Sequence, residues 1–431
     1  MAHPGNRTHL DCEEYRLDIY CGIDWAEGHH DIAIMDSAGE LLAKRRITDD
    51  AAGYRDLLEL LAEHGDTPQH PVPVAIETSQ GLLVAALRAG TRSIYAVNPL
   101  SAARYRDRHG VSKKKSDPGD ALVLANILRT DAHAHRPLPA DTEQVRAITV
   151  LARAQQDAVW ARQQTANQLR SVLRQFYPAL LQAGAVWQNG LTRPEIRELL
   201  RIAPTPGTAA RLSTARIETA LRRAGRSRGI AAQAQRIKTI LRGDHARQPQ
   251  AVEDAMGQQA AGLLLILDAA CQSVDQLSTA VEEAFLTHPD AQILLSFPGI
   301  GNQLGARLLA EIGDDRQRFA DARALKAYAG SAPITRASGK KKFVGRRFVK
   351  NDRLSTVGYM WALSALTGSP GARAHYQRRR AAGDWHAAAQ RNLFNRLLGQ
   401  LHHCLTTGTR FDETTAFTPP APISQLDFLN T

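Results

Sequence analysis

Three β-rich apolar runs follow one another early in the chain: RLDIYCGIDWA, HDIAIMDS and ELLAKRRIT, within residues 16–48. Runs this short, joined by short turns such as Ser37-Ala38-Gly39, satisfy their backbone groups by pairing antiparallel with one another. The apolar spacing then changes. AAGYRDLLELLAEHG has helical periodicity, PVPVAIETS is a short β-rich run, and GLLVAALRAG is helical again. RSIYAVNP reads as another strand and LSAARYRDRHG as another helix. Hairpin strands followed by alternating helices and strands predict a mixed sheet with helices packed on it, over residues 16–140, after a flexible N-terminus at 1–15.

From residue 141 the chain turns to long helices. Val145, Ile148, Ala152, Gln155, Val159, Arg162, Ala166, Leu169, Leu173, Phe176 and Leu180 recur at alternating steps of three and four. That is the heptad seam of a coiled coil, or equally the core face of a helical bundle; Gln155 and Arg162 would weaken the seam while setting its register. Segments 208–242 and 249–286 also read helical, giving a helical domain over 141–287. A third domain, 288–410, opens with LLSFPGIGNQLGARLLAEIGD. Its PGIG turn before an amphipathic helix resembles a helix-hairpin-helix, which would aim backbone N–H groups at a phosphate from Gly299 and Gly301; an ordinary helix-joining turn is the alternative. The tail, 411–431, is rich in Pro and Thr and reads as loose.

Lys and Arg number 54 against 43 acidic residues, a formal charge of +11 with a pI near 9.7. Such an excess suits a polyanion, nucleic acid first and an anionic membrane second. The cations cluster at Lys113, Lys114 and Lys115, at Lys340, Lys341 and Lys342 with Arg346 and Arg347, and at Arg378 to Arg380. No apolar stretch reads as a membrane span, and the four cysteines lack CxxC spacing, so a soluble protein of a reducing cytoplasm is expected.

Four carboxylates carry the chemical expectation. Asp24 ends the first strand in GIDWA, and Glu77 ends a later strand in AIETS. Asp117 and Asp120 open the helix of KKKSDPGDALVLANIL. Capping explains the last pair on its own terms, with Asp117 as N-cap and Pro118 at the first helical position. A strand-end acid is likewise often a loop cap or salt-bridge partner. Taken together, four acids that one sheet edge can gather repel each other unless cations neutralise them, and all-oxygen ligation selects Mg²⁺ or Mn²⁺. Two such ions about 4 Å apart stabilise both the attacking and the leaving oxygen of a phosphodiester.

The ordered set GIDWA, AIETS, SDPGD, a helical insert, PGIG and GSAPITRASGKK resembles the DEDD-type insertion-sequence transposases, serine-dependent and bridge-RNA-guided recombinases related to the Piv-type DNA invertases. The resemblance spans about residues 18–410. It implies an RNase H-like (RuvC-like) α/β domain, a helical coiled-coil insert and a mostly α C-terminal transposase domain. It implies that Asp24, Glu77, Asp117 and Asp120 hold Mg²⁺ or Mn²⁺, and that Ser338 of PITRASG is the nucleophile. Gly330 and Pro333 fall in the same family pattern. It further implies donor and target DNA as substrates, a structured guide RNA, and a homodimer or homotetramer acting at the bacterial nucleoid. The chain departs from the family where many members read K-x-G-N-x-x-L-R and this one reads VKNDRLSTVGYMWAL. Ser331 and Ser355 are weaker candidates for the nucleophile.

A metal-dependent junction-resolving nuclease that uses water and forms no covalent intermediate is the nearest rival, followed by a non-catalytic DNA-binding protein. His133 and His135 read as surface residues, Trp25 as a packing residue at the sheet edge, and the aromatics of RQFYPALL as bundle core.

Overall fold

The computed structural model describes residues 18–109, 117–185, 187, 190–339 and 341–417, with the side chains of His109 and Asp117 outside that description. The chain divides into two units, Met1–Pro139 and Ala140–Thr431. The helical and C-terminal regions, expected as separate domains, belong to the second unit together.

The first unit contains strands β1 (Ile19–Trp25), β2 (His29–Asp36), β3 (Leu41–Thr48), β4 (Val74–Ile76) and β5 (Ile94–Ala96). Helices α1 (Ala51–Glu63), α2 (Leu82–Arg88), α3 (Pro99–His109) and α4 (Asp117–Asp131) alternate with the later strands. Every strand and helix expected up to residue 110 is present. The sheet order is β3-β2-β1-β4-β5, with β1–β2 and β2–β3 antiparallel and β1–β4 and β4–β5 parallel. The short connections make the hairpins, while the helical crossovers let β4 and β5 run parallel to β1.

Alternation along each strand sorts residues onto two faces. Cys21, Ile23, Val74 and Ile76 share a core with Leu57, Leu60 and Leu61 of α1 and with Leu83, Val84 and Leu87 of α2. Ala75 faces the other way, toward Tyr105 of α3 and Leu124, Ile127 and Leu128 of α4. Gly22 shares that second face. A Cβ there would lie 2.0 Å from the Ala121 carbonyl oxygen and 2.3 Å from the Ala125 nitrogen. Glycine is what lets the backbone of α4 lie directly on β1.

The second unit is helical. Its long helices α5 (Glu143–Phe176) and α11 (Gln250–Leu286) flank a group of short ones: α6 (Pro178–Gly184), α7 (Pro194–Ile202), α8 (Pro206–Ala210), α9 (Thr214–Arg223) and α10 (Ile230–Leu241). The segment 208–242, expected as one helical stretch, is broken where Ser213 caps α9 and where Gly225 and Gly229 take positive φ. There follow α12 (Ala291–Leu295), α13 (Asn302–Ile312), α14 (Ala322–Tyr328), the hairpin β6 (Ile334–Ser338) and β7 (Lys341–Gly345), α15 (Asp352–Gly368), α16 (Pro370–Ala381), α17 (His386–Thr407) and α18 (Glu413–Phe417).

The heptad-spaced residues face the chain's own interior. Val145 and Ile148 pack with Val281 and Phe285, whereas Ala166, Leu169 and Leu173 pack with Ala260, Leu264 and Leu267. The start of α5 therefore lies against the end of α11, an antiparallel pair. Gln155 is accommodated by bonds, its Nε2 donating to Ser278 Oγ at 3.0 Å and its Oε1 accepting from Arg307. Phe176 and Tyr177 are core residues, as expected. Contrary to the reading that no stretch has spanning length, α11 is long and apolar enough by length and composition to cross a membrane. Its inner positions pack in the bundle core, and its outer face exposes Leu265 (70%) and Ile266.

Two further corrections concern the end of the chain. Residues 411–417, expected to be loose, are docked. Glu413 accepts from Ser369 Oγ and from the Gly371 nitrogen, and the Phe411 ring lies 4.6 Å from that of Phe297. Trp25 is half exposed rather than packed.

Candidate active site

The register of the first sheet brings acids together that are far apart in sequence. In the parallel pair β1–β4, Ile23 stands beside Ile76. The next residues, Asp24 and Glu77, are thus neighbours at the same end of adjacent strands. Alternation sets both on the face of Gly22 and Ala75, which α4 covers. Both are half-buried. Asp120 adjoins Ala121, the residue of α4 that meets Gly22, and is only 6% exposed. Asp117 begins α4.

Two arginines already answer this negative charge. Arg106 of α3 donates from Nη2 to Asp120 Oδ1 at 2.5 Å. Its Nε is buried and has no hydrogen-bond partner. In the antiparallel pair β1–β2, Asp24 stands opposite Asp31, which shares its face. Asp31 is buried and accepts two bonds from Arg46, at 3.1 Å from Nε and 2.7 Å from Nη2. The row across the sheet therefore runs Arg46, Asp31, Asp24, Glu77, with Asp120 beneath α4. Among the described residues, no three His, Cys, Asp or Glu side chains are gathered closely enough to hold an ion as they stand. The donor chemistry nonetheless suits a hard divalent cation, since Asp24, Glu77 and Asp120 offer carboxylate oxygens and each buried acid takes a cationic partner.

Arg106 and Asp31 were not foreseen from sequence. Asp31 was legible in principle, because GIDWAEGHHDIAIMD places it as far from the turn as Asp24. Arg106 lies in RYRDRHG among several arginines, and only the packing of α3 on α4 singles it out.

In the second unit, Ser338 ends β6 opposite Lys341, and Gly339 turns the hairpin with φ +55°. Ser338 is exposed. So are Lys341, Lys342 and Arg346, while Arg347 is half-buried. The hairpin also exposes Phe343 (66%), Val344, Phe348 and Val349, and Arg346 lies 4.7 Å from the Phe348 ring centroid. The segment pairs as a two-stranded ribbon. Lys113, Lys114, Lys115 and Lys340 fall outside the described residues. Gly330 takes φ +73° where the Lys350 side chain crosses it. Ser331, by contrast, is buried, donating to the Lys326 carbonyl and accepting from Asn395 Nδ2.

The PGIG turn joins α12 to α13. Gly299 faces inward, where a Cβ would lie 2.6 Å from the Ala365 nitrogen of α15. Gly301 is exposed at the start of α13 with open space around it. The close approach of α15 thus explains Gly299, and both glycines are exposed.

The chain thus has a mixed sheet whose adjacent strands β1 and β4 lead into acids, followed in sequence by a mostly helical unit. Residues 21–178 match the IS110-type DEDD transposase family, and residues 291–377 match the family described as "Transposase IS116/IS110/IS902 family". The chain is 66% identical, over 94% of its length and 98% of the relative's, to the "Mini-circle putative transposase for IS117" of Streptomyces coelicolor. It is 28% identical, over 94% of its length and 98% of the relative's, to the "Insertion element IS116 uncharacterized 44.8 kDa protein" of Streptomyces clavuligerus. The protein belongs to the IS110/IS116 family of insertion-sequence transposases, enzymes that cut and rejoin DNA. A DEDD-type domain implies use of a divalent metal ion.

Proposed function

We propose that this transposase cuts and rejoins DNA through a phosphoserine intermediate formed on Ser338, with Asp24, Glu77, Asp117 and Asp120 as the metal-binding acids. The observation that carries the reading is the parallel register that makes Asp24 and Glu77 neighbours on the face covered by α4. The strand order β3-β2-β1-β4-β5 supports an RNase H-like frame for these acids.

Mg²⁺ or Mn²⁺, when bound, supplies Lewis acidity toward phosphate oxygens and the serine hydroxyl. The protein's own groups do the rest. Ser338 Oγ forms a bond to phosphorus as the bond from phosphorus to the departing sugar oxygen breaks. The hydroxyl proton is released and the departing oxygen takes one up. The phosphodiester energy is kept in the new ester, so the reverse attack by a DNA hydroxyl reseals the strand without an external energy source. Lys341, Lys342, Arg346 and Arg347 hold the DNA backbone beside the serine. Ser331 is a poor rival, because its hydroxyl is buried and already bonded on both sides.

Donor and target DNA are the substrates, with a structured RNA supplying sequence choice through base pairing. The net charge of +11 suits two polyanions. Self-association as a dimer or tetramer is supported by the apolar outer face of α11 at Leu265 and Ile266, not by the heptad seam, whose residues serve the chain's own core.

The test is a denaturing gel of the protein incubated with labelled element-end DNA and Mg²⁺. A protein–DNA adduct is expected with the wild type and none with Ser338→Ala, whose fold is unchanged because the side chain is exposed. Cleaved DNA without an adduct, at equal rate in Ser338→Ala, would replace this reading with a water-using nuclease.

A further inference from the structure

The second unit holds a cavity of about 650 Å³ between α14, α17 and residues 409–416, away from the Ser338 hairpin in sequence and built from other elements. Its wall is cationic: Lys326 from α14, Arg396 from α17 and Arg410 from the segment that follows. Among the described residues, no carboxylate lies within ion-pairing distance of any of the three. Asp412, the one acid in the wall, is engaged by the Thr414 and Thr415 hydroxyls, which hold its carboxyl at about 2.

The lysine is the informative residue. Its Nζ lies over the α17 backbone at Gly399, where an added Cβ would come within 2.8 Å of it. Glycine leaves room for the ammonium to reach into the wall. Neither an acceptor nor an anion meets it there. Burial, and then the charge of Arg396, holds its pKa below the ordinary lysine value. Burial likewise depresses that of Arg396, followed by the charge of Arg378. Both cations are half-buried without a counter-charge, Arg396 donating from Nε and Nη2 to the Ala416 carbonyl, and an entering anion would supply the missing charge. One more group is unsatisfied: Gln400 Oε1 is buried without a donor, its Nε2 being used by the Ala416 carbonyl. A bare phosphate would satisfy the cations and leave this acceptor empty. Phe411 adds an apolar surface.

We infer that this cavity is a binding site for one nucleotide unit, its phosphate on Lys326 and Arg396 and a ribose hydroxyl or base amine donating to Gln400 Oε1. The same chemistry is offered by a free mononucleotide and by a single nucleotide of a DNA or RNA strand turned into the pocket, and the volume admits either. The site lies outside the phosphoserine reaction, so the two readings fail independently.

The test uses the full chain, by thermal melting with AMP or inorganic phosphate and by fluorescence anisotropy with a labelled ten-nucleotide single strand. AMP is expected to raise the melting temperature with the logarithm of its concentration above Kd, and Lys326→Met to abolish the shift while Lys326→Arg keeps it. Without ligand, Lys326→Met melts no lower than wild type, since it removes a charge that has no partner. For the strand, Lys326→Met should weaken binding about tenfold and lower the salt-dependence slope by about one, a change that a purely structural lysine would not produce. A response to AMP marks the free nucleotide as the occupant, and a response to the strand alone marks a nucleotide within a chain. Inorganic phosphate acting as well as AMP would overturn the nucleotide assignment. If neither AMP nor the strand binds in a Lys326-dependent way, there is no such site.

Discussion

Gly22→Ala adds a single methyl group at the place where α4 meets β1. The new Cβ would stand 2.0 Å from the Ala121 carbonyl oxygen and 2.3 Å from the Ala125 nitrogen, both backbone atoms that no rotamer change can move aside. Ordinary contact at about 3.4 Å requires α4 and β1 to separate by roughly 1.4 Å at this point. Overpacking of this kind costs about 1–3 kcal/mol. The functional cost is expected to be larger. Asp24 lies two residues along β1, and Asp117 and Asp120 lie on the displaced turn of α4. A misplacement of about 1 Å in a catalytic group lowers rate about 100-fold. Urea unfolding followed by circular dichroism measures the first quantity, and strand transfer on element-end DNA the second. Gly28→Ala is the control, because nothing lies within 4 Å of a Cβ there, and its stability should change by less than about 0.5 kcal/mol. A Gly22→Ala protein with wild-type stability and wild-type strand transfer would refute the placement of α4 on the acid-bearing face.

Arg106→Gln leaves the Asp120 carboxylate buried without its cation and should destabilise the metal-free protein by about 3 kcal/mol. Mg²⁺ or Mn²⁺ should then raise its melting temperature more than that of wild type, and equal shifts would show that Arg106 does not compete with the ion. Glu311, buried in the second unit, accepts from Arg153 at 2.8 and 2.9 Å and from Asn351 Nδ2 at 2.7 Å, tying α5 and α13 to the residue that caps α15. Glu311→Ala should therefore cost about 3 kcal/mol in thermal unfolding, and a loss below about 1 kcal/mol would deny the network that role. An Asp24→Ala protein mixed with a Ser338→Ala protein should regain strand transfer if acids and serine come from different subunits; a mixture as inactive as its components counts against sharing.

Much of the first unit was readable because its signals are local. Period-two runs, a change to period 3.6 and turn residues between them mark each strand and helix up to residue 110 without reference to distant neighbours. The four acids were legible as candidates for the same reason, each standing at the end of a strand or the start of a helix. Asp31 could have been found from its distance to the turn, whereas Arg106 could not, because its importance comes from the packing of α3 on α4. In the second unit, the heptad spacing announced a buried face without saying what would cover it, and the cover is α11, about a hundred residues later. The docking of residues 411–417 was hidden in the same way. A polar, Pro-rich composition suggested a loose tail, yet Glu413 finds the start of α16 and Phe411 finds Phe297.

By itself, the sequence determined which segments of the first unit are strands and helices, which faces are apolar, where positive charge gathers and which acids and serine are available for chemistry. These depend on backbone preference and side-chain periodicity, which act over a few residues. The tertiary structure alone decided that Asp24 stands beside Glu77 and opposite Asp31, that Arg106 meets Asp120, and that Lys326 extends over Gly399 without an anion. Such neighbours are set by strand register and by how closely two backbones can approach, and both depend on contacts between residues far apart in the chain.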